Sequence, residues 1–216
     1  MTPTIQDAFT DEIVAVSESP ASTKPTYKVG MLSGCVQDIA FSDINRDTVD
    51  VLLANNCEVI TPRNQGCCGS LHSHNGEIEL AKDLARKAID SFDLDKLDGI
   101  ISNAGGCGSH LRHYGRLLSD DPQYAKRAHQ WDSKVKDIHE WLMSIDLREL
   151  GPLATPAEIT YHPSCHLYHG QKVMKQPSQL LASIPNVTLK VLKEADWCCG
   201  SAGVYNITQP EQAKLL

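Results

Sequence analysis

The sequence predicts an α/β protein of two duplicated strand–helix halves, Rossmann-like, with parallel sheets and with cysteines at the carboxyl ends of strands. Three observations carry this reading. Short apolar runs alternate with stretches of helical period along most of the chain. Turns rich in glycine and cysteine follow the apolar runs, where an open parallel sheet places its ligand sites. The pattern also recurs: Cys165 lies 130 residues after Cys35, and Cys198-Cys199-Gly200-Ser201 lies 131 residues after Cys67-Cys68-Gly69-Ser70. A fixed offset of this kind marks internal duplication.

Residues 1–26 are polar, rich in Ser, Thr and Pro, and read as a flexible leader or linker. The first cysteine-rich repeat is expected over 27–120. A strand over 27–33 ends at Gly34-Cys35, and a helix over 43–56 presents Ile44, Thr48, Val51 and Leu52 on one face. A second strand over 58–61, stopped by Pro62, leads into Cys67-Cys68-Gly69. The helix over 77–92 carries Ile78, Ala81, Ala85, Ala88 and Phe92 at core spacing, and a third strand over 99–103 runs into Gly105-Gly106-Cys107-Gly108.

A single connecting helix is expected across 121–150, with Asp121 as N-cap and Pro122 at the first helical position. Its stripe is Ala128, Trp131, Val135, Ile138, Leu142 and Ile145. Gly151-Pro152 and Pro156 mark a junction, and the second repeat is expected over 151–216. It offers a strand over 158–162 ending near Cys165, a helix over 177–184, a strand over 187–192, and then Cys198-Cys199-Gly200. By the same offset a counterpart of Cys107 belongs at about position 238; either the second repeat works with three cysteines or, the expectation favoured by the helix-like opening at 210–216, it is truncated and the sequence is a fragment.

Composition narrows the function. A formal charge of −7 argues against a nucleic-acid footprint, and no apolar run reaches the ~18–20 residues of a membrane span. The first twenty residues lack a secretory signal, so a cytoplasmic, reducing setting is expected. Eight cysteines there point to ligands or redox groups rather than disulfides. Neither G-x-G-x-x-G nor a P-loop occurs. A Cys–His hydrolase explains neither the vicinal pairs nor the duplication.

Adjacent cysteines join poorly to each other, because neighbouring Cα atoms lie about 3.8 Å apart, short of the roughly 4.4–6.8 Å that a relaxed disulfide spans. They suit a soft metal instead. The first repeat supplies Cys35, Cys67, Cys68 and Cys107, and the second Cys165, Cys198 and Cys199. Four thiolates fit either a tetrahedral zinc or an iron–sulfur cluster. The intervals between them are too long to match a generic zinc or ferredoxin motif. Cys57 falls outside the repeat and reads as a core residue.

The duplicated Cys-Cys-Gly with one cysteine before and one after resembles the cysteine-rich (CCG) domain of the heterodisulfide reductases and of iron–sulfur subunits in glycolate and lactate oxidation. The runs Gly34-Cys35-Val36-Gln37, Gln65-Gly66-Cys67-Cys68-Gly69, Asn103-Ala104-Gly105-Gly106-Cys107-Gly108 and Asp196-Trp197-Cys198-Cys199-Gly200-Ser201-Ala202-Gly203-Val204-Tyr205-Asn206-Ile207 are similar to the iron–sulfur subunits of glycolate oxidase. The resemblance covers residues 27–216. It implies an oxidoreductase subunit, not catalytic alone, that takes electrons from FAD-binding glycolate oxidase subunits and passes them to an acceptor other than oxygen. Peripheral contact with the inner membrane would then come through that complex. The seven cysteines would hold iron–sulfur clusters, of the 4Fe–4S type by resemblance, with zinc as the alternative. A lactate-utilisation iron–sulfur protein, a structural zinc-thiolate module and a thiol–disulfide enzyme that uses a cluster to split a disulfide are the other readings. Two departures stand out. No cysteine precedes Cys35, where the full-length glycolate subunits carry a ferredoxin-like part. Cys107-Gly108-Ser109-His110 also replaces the C-x-x-C of some members, which makes His110 a further metal-ligand candidate.

Overall fold

The computed structural model describes residues 4–21, 24–201 and 204–215, so Ala202 and Gly203 of the last motif and parts of the expected leader lie outside the described residues. The chain divides into two units, Met1–Arg148 and Glu149–Leu216.

The first unit is built on a five-stranded sheet of β1 (Ser17–Glu18), β2 (Tyr27–Met31), β3 (Cys57–Ile60), β4 (Gly99–Ser102) and β5 (Val135–Asp137), in the order β1-β3-β2-β4-β5. β1 runs antiparallel to β3, and the other pairings are parallel. Leaving β1 aside, the sheet starts at its middle and grows outward in both directions. The connection from β2 to β3 steps one way along the sheet and the connection from β3 to β4 crosses back past β2 the other way, so a crevice opens beyond the carboxyl ends of β2 and β4.

Residues along each strand alternate between two packed faces. Ile100 joins the core formed with Ala85, Ile89, Leu111, Tyr114 and Trp131, whereas Gly99 abuts Trp141 on the other face. Val29, Met31, Val59, Ile100 and Ile101 are all fully buried, as a parallel sheet covered on both sides requires. The helices are α1 (Thr10–Ile13), α2 (Val36–Ala54), α3 (Ser70–His74), α4 (Ile78–Asp90), α5 (Gly105–Leu111), α6 (Tyr114–Leu117), α7 (Ala125–Lys134) and α8 (Ile138–Ser144).

Three expectations are corrected here. The leader is not a free tail: Thr10 and Val14 are buried, β1 pairs with β3, and Arg46 reaches Glu18 at 2.7 Å. Composition alone missed this because the ties are long-range polar contacts. The expected 121–150 helix is two helices, α7 and α8, with β5 between them. Val135, Ile138 and Leu142 keep helical spacing across that break, since the buried positions of a short strand and the next helix happen to fall in step. Finally, α2 begins at Val36 rather than at 43, with a kink at Phe41 that hides its first turns from a periodicity reading.

The second unit holds β6 (Ala157–Thr160) parallel to β7 (Val187–Lys190), a single π-helical turn at His166–Gly170, α9 (Gln176–Ser183), α10 (Tyr205–Thr208) and α11 (Pro210–Ala213). The duplication extends to register. Tyr27 pairs with Cys57 in the first unit, and Ala157 with Val187, each 130 residues on, in the second. Asn56 and Asn186, also 130 apart, both enter the second strand of the pair with positive φ, at 60° and 68°. In each unit that asparagine's carbonyl accepts the N–H of the first strand's opening residue, Tyr27 at 3.4 Å or Ala157 at 2.9 Å.

Candidate metal centre

Three loops leave the carboxyl ends of β2, β3 and β4, and each carries cysteine. Cys35 caps the N-terminus of α2, Cys67-Cys68 precedes Gly69 at the cap of α3, and Cys107 lies in the first turn of α5. Helix N-termini thus gather where the thiols are, presenting the positive ends of backbone dipoles to sulfur. Gly69 takes φ 83°, a left-handed conformation that lets its N–H turn back and donate to the Cys67 sulfur at 3.4 Å.

The structure brings all four first-repeat cysteines together. They interact thiol to thiol in series, Cys35 with Cys67, Cys67 with Cys68, and Cys68 with Cys107. Cys68 is the most enclosed of the four, at 8% exposure, and the other three are half-buried. Burial, and then the nearby Cys67, raise Cys35. Hydrogen bonding to Cys68, with burial, holds Cys67 well above an ordinary thiol. Cys68, hydrogen-bonded to Cys107, is pushed up to about 12, while Cys107 is lowered by the same contact. Four thiolates cannot form so close together without a compensating cation. A soft cation would supply that compensation, and its binding would release the thiol protons.

Among the described residues no three His, Cys, Asp or Glu side chains converge tightly around the point one metal ion would occupy. The thiols lie on loops at the carboxyl rim of the sheet, and Cys68 and Cys107 line a cleft there together with Ser33, Gly34, Gly66 and Leu111. Four thiols so placed offer the donor set that either a polynuclear iron–sulfur cluster or one tetrahedral zinc takes.

The floor is aromatic. Tyr114, fully buried, donates its hydroxyl to the Cys68 carbonyl at 2.7 Å and stacks on Trp131 with ring centroids 5.5 Å apart. His110 follows Cys107 by one turn of α5, with its ring edge-on to Tyr114. Burial, with His74 and His113 nearby, lowers it to about 4, so it is a neutral imidazole, and its Nε2 is buried without a hydrogen-bond partner among the described residues. Cys57 is fully buried at the start of β3 with its thiol toward the Asn55 carbonyl, away from the rim.

The second-repeat cysteines are placed differently. Cys165 stands just before the π-helical turn and is half-buried, whereas Cys198 and Cys199 are exposed. The local geometry of the pair is nevertheless repeated: Gly200 takes φ 73° and donates to the Cys198 sulfur at 3.4 Å. The sequence pattern by itself assigns no role to Tyr114, to Gln65 or to Asn45. Polar residues inside a helix or at a loop carry no periodic signal, and only the positions of Gln65 and Asn103 beside the cysteines hinted at them.

A family model for the cysteine-rich domain (CCG) matches residues 29–112 and 159–216, and so takes in all seven rim and repeat cysteines. The chain belongs to the cysteine-rich domain family. It is 40% identical over 190 residues to the "Probable glycolate oxidase iron-sulfur subunit" of Bacillus subtilis, an alignment covering 88% of this chain and 43% of that protein. An uncharacterized iron-sulfur protein of Methanocaldococcus jannaschii is 34% identical, over 88% of this chain and 35% of its own length. Lactate utilization protein A of Shouchella clausii is 30% identical, over 84% and 75%. This cysteine-rich domain chain therefore spans less than half the length of the first two relatives. No helix among its described residues is long and apolar enough to cross a membrane.

Proposed function

We propose that the chain is the iron–sulfur electron-transfer part of a complex that oxidises a small 2-hydroxy acid. The observation that carries this reading is the meeting of Cys35, Cys67, Cys68 and Cys107 on one rim. These four hold one cluster, of the 4Fe–4S type, and Cys165, Cys198 and Cys199 supply three thiolates toward a second. The cluster supplies one-electron transfer. The chain's own residues supply the setting: the Gly69 N–H bonds to ligand sulfur, the helix N-termini offset thiolate charge, and Tyr114 with Leu111 excludes water beneath Cys68.

Glycolate is the substrate class proposed for the complex, with electrons arriving from an FAD-binding partner and leaving to an acceptor other than oxygen. The similarity to the Bacillus subtilis glycolate oxidase subunit supports it. Lactate is the second reading, supported by a relative matched over three quarters of its length. Anaerobic purification with iron and acid-labile sulfide assays and EPR tests the cluster. Comparable iron and sulfide with an EPR signal on reduction are expected. Thiolate-bound zinc without sulfide would contradict it.

A further inference from the structure

The cysteine loops come from three different strands, and something must hold them in one register. The contacts around Ser33 show what does. Its N–H donates to Gln65 Oε1 at 3.1 Å, and its carbonyl accepts from Asn45 Nδ2 at 2.9 Å. Gln65, two residues before Cys67, also donates from Nε2 to the Met31 carbonyl at 2.9 Å and to the Pro62 carbonyl at 3.1 Å. Asn45, fully buried on α2, donates its second hydrogen to Thr10 Oγ1 at 2.8 Å. Its Oδ1 accepts from Asn103 Nδ2 at 2.9 Å, and Asn103 also reaches Thr48 Oγ1 at 3.0 Å. Asn103 lies four residues before Cys107.

Each of these three amides donates to two separate acceptors, and the amide oxygens of Gln65 and Asn45 each receive an N–H. Flipping Gln65 or Asn45 would set donor against donor, so the network fixes their orientation. Gln65 acts like one more residue of the ladder between β2 and β3, carried past the point where the strands stop. Asn45 does the same between the β2 loop and the β4 loop. All three cysteine loops are thereby tied to Ser33, two residues before Cys35.

We infer that Gln65, Asn45 and Asn103 form a carboxamide clamp that positions the ligand loops of the first centre and is absent from the second. The inference rests on the iron–sulfur reading above for its consequence, but not for the clamp itself. The duplication supplies the contrast. At the matching offsets Pro163 stands for Ser33, Asp196 for Gln65 and Lys175 for Asn45. Proline has no N–H to give, and an aspartate carboxylate cannot donate to a carbonyl. Both ends of the Ser33–Gln65 bond have therefore changed in the second copy.

The test uses the full chain with Gln65→Leu, Gln65→Glu and Asn45→Leu. The glutamate keeps an acceptor for the Ser33 N–H but cannot donate to Met31 or Pro62. Amide hydrogen exchange is read on the reduced, metal-free protein, and iron retention, EPR line shape and midpoint potential on protein reconstituted with ferrous iron and sulfide. Exchange at Ser33 should quicken about tenfold in Gln65→Leu and stay near wild type in Gln65→Glu. Iron retention should fall about 10–100-fold in Gln65→Leu and Asn45→Leu, as for other residues that orient ligands, and Gln65→Glu should shift the potential and the EPR line shape. Unchanged Ser33 exchange in Gln65→Leu, or a wild-type spectrum and potential in every variant, overturns the clamp. Wild-type protein without iron and sulfide overturns the proposed function instead, and the exchange measurement then decides the clamp alone. If the leucine variants fail to fold, the near-isosteric Gln65→Glu still decides through its potential and line shape.

Discussion

At Cys67 and at Cys198 the backbone makes the same turn: the glycine two residues on adopts a left-handed φ, and its N–H points back at the first sulfur at 3.4 Å. The surroundings differ. Cys68 is enclosed, held against Tyr114 and in contact with Cys107, whereas Cys198 and Cys199 are exposed. The first copy stands on a sheet with strands on both sides of β2; the second stands on β6 and β7, whose residues alternate between half-buried and exposed. A short motif thus fixes a turn and a donor, while burial and the neighbouring strands set how far the pair is enclosed.

The largest effect should come from removing one ligand in each copy. Cys68→Ser is expected to abolish the EPR signal of the first centre and at least half of the bound iron, whereas Cys199→Ser should leave that signal in place. Equal losses from the two substitutions, measured by iron assay and EPR, would erase the distinction between the copies.

Next in size is the glycine turn. Alanine at a left-handed position costs about 1–2 kcal/mol before any clash. A Cβ at Gly69 would lie 3.3 Å from the Ala81 carbonyl oxygen, but at Gly200 it would meet the Ala213 oxygen at 2.5 Å, so backbone must move. Gly200→Ala should therefore disturb its own unit more than Gly69→Ala disturbs the first, read as the change in amide exchange within each unit. The reverse order would show that the enclosed copy is the less tolerant of strain.

A loss of comparable size, with no clash added, follows from Tyr114→Phe. The phenol is the buried partner of the Cys68 carbonyl, and leaving that carbonyl unpaired should lower stability by about 1–3 kcal/mol in chemical denaturation. No change would mean that water replaces the phenol and the floor is less dry than its packing indicates.

The smallest effect is a pH dependence of the metal-free first unit. His110 is lowered to about 4 from an ordinary 6.5 by burial, so the unfolded chain binds its proton more readily than the folded one. Its contribution is present above about 6.5 and is lost as pH falls toward about 4. The unfolding midpoint of wild type should drop over that interval more than that of His110→Phe. Parallel curves would place His110 in solvent.

Much of this organisation was legible in the sequence, and the exceptions have physical reasons. The cysteine and glycine positions exposed the duplication because ligand chemistry and left-handed turns tolerate few substitutes; the register match between Tyr27–Cys57 and Ala157–Val187 is the same fact in three dimensions. β5 escaped notice because Val135-Lys136-Asp137 lies inside a stripe that helical spacing alone accounts for. The ordered N-terminal segment was hidden because it is held by Thr10, Val14 and the Glu18–Arg46 pair, and the partners on α2 that tie down Thr10 and Glu18 lie 28 to 35 residues away. The carboxamide network gave no signal for the same reason: Asn45 is polar, buried and far from the vicinal cysteine motifs in sequence.

The central claim is that Cys35, Cys67, Cys68 and Cys107 suffice to hold one cluster without the cysteines of the second copy. The direct measurement is iron and acid-labile sulfide, with EPR after reduction, on anaerobically prepared protein in which Cys165, Cys198 and Cys199 are all changed to serine. Retained iron and sulfide with the first-centre signal is the predicted result. Protein devoid of both, or holding only zinc on those four thiolates, would contradict it.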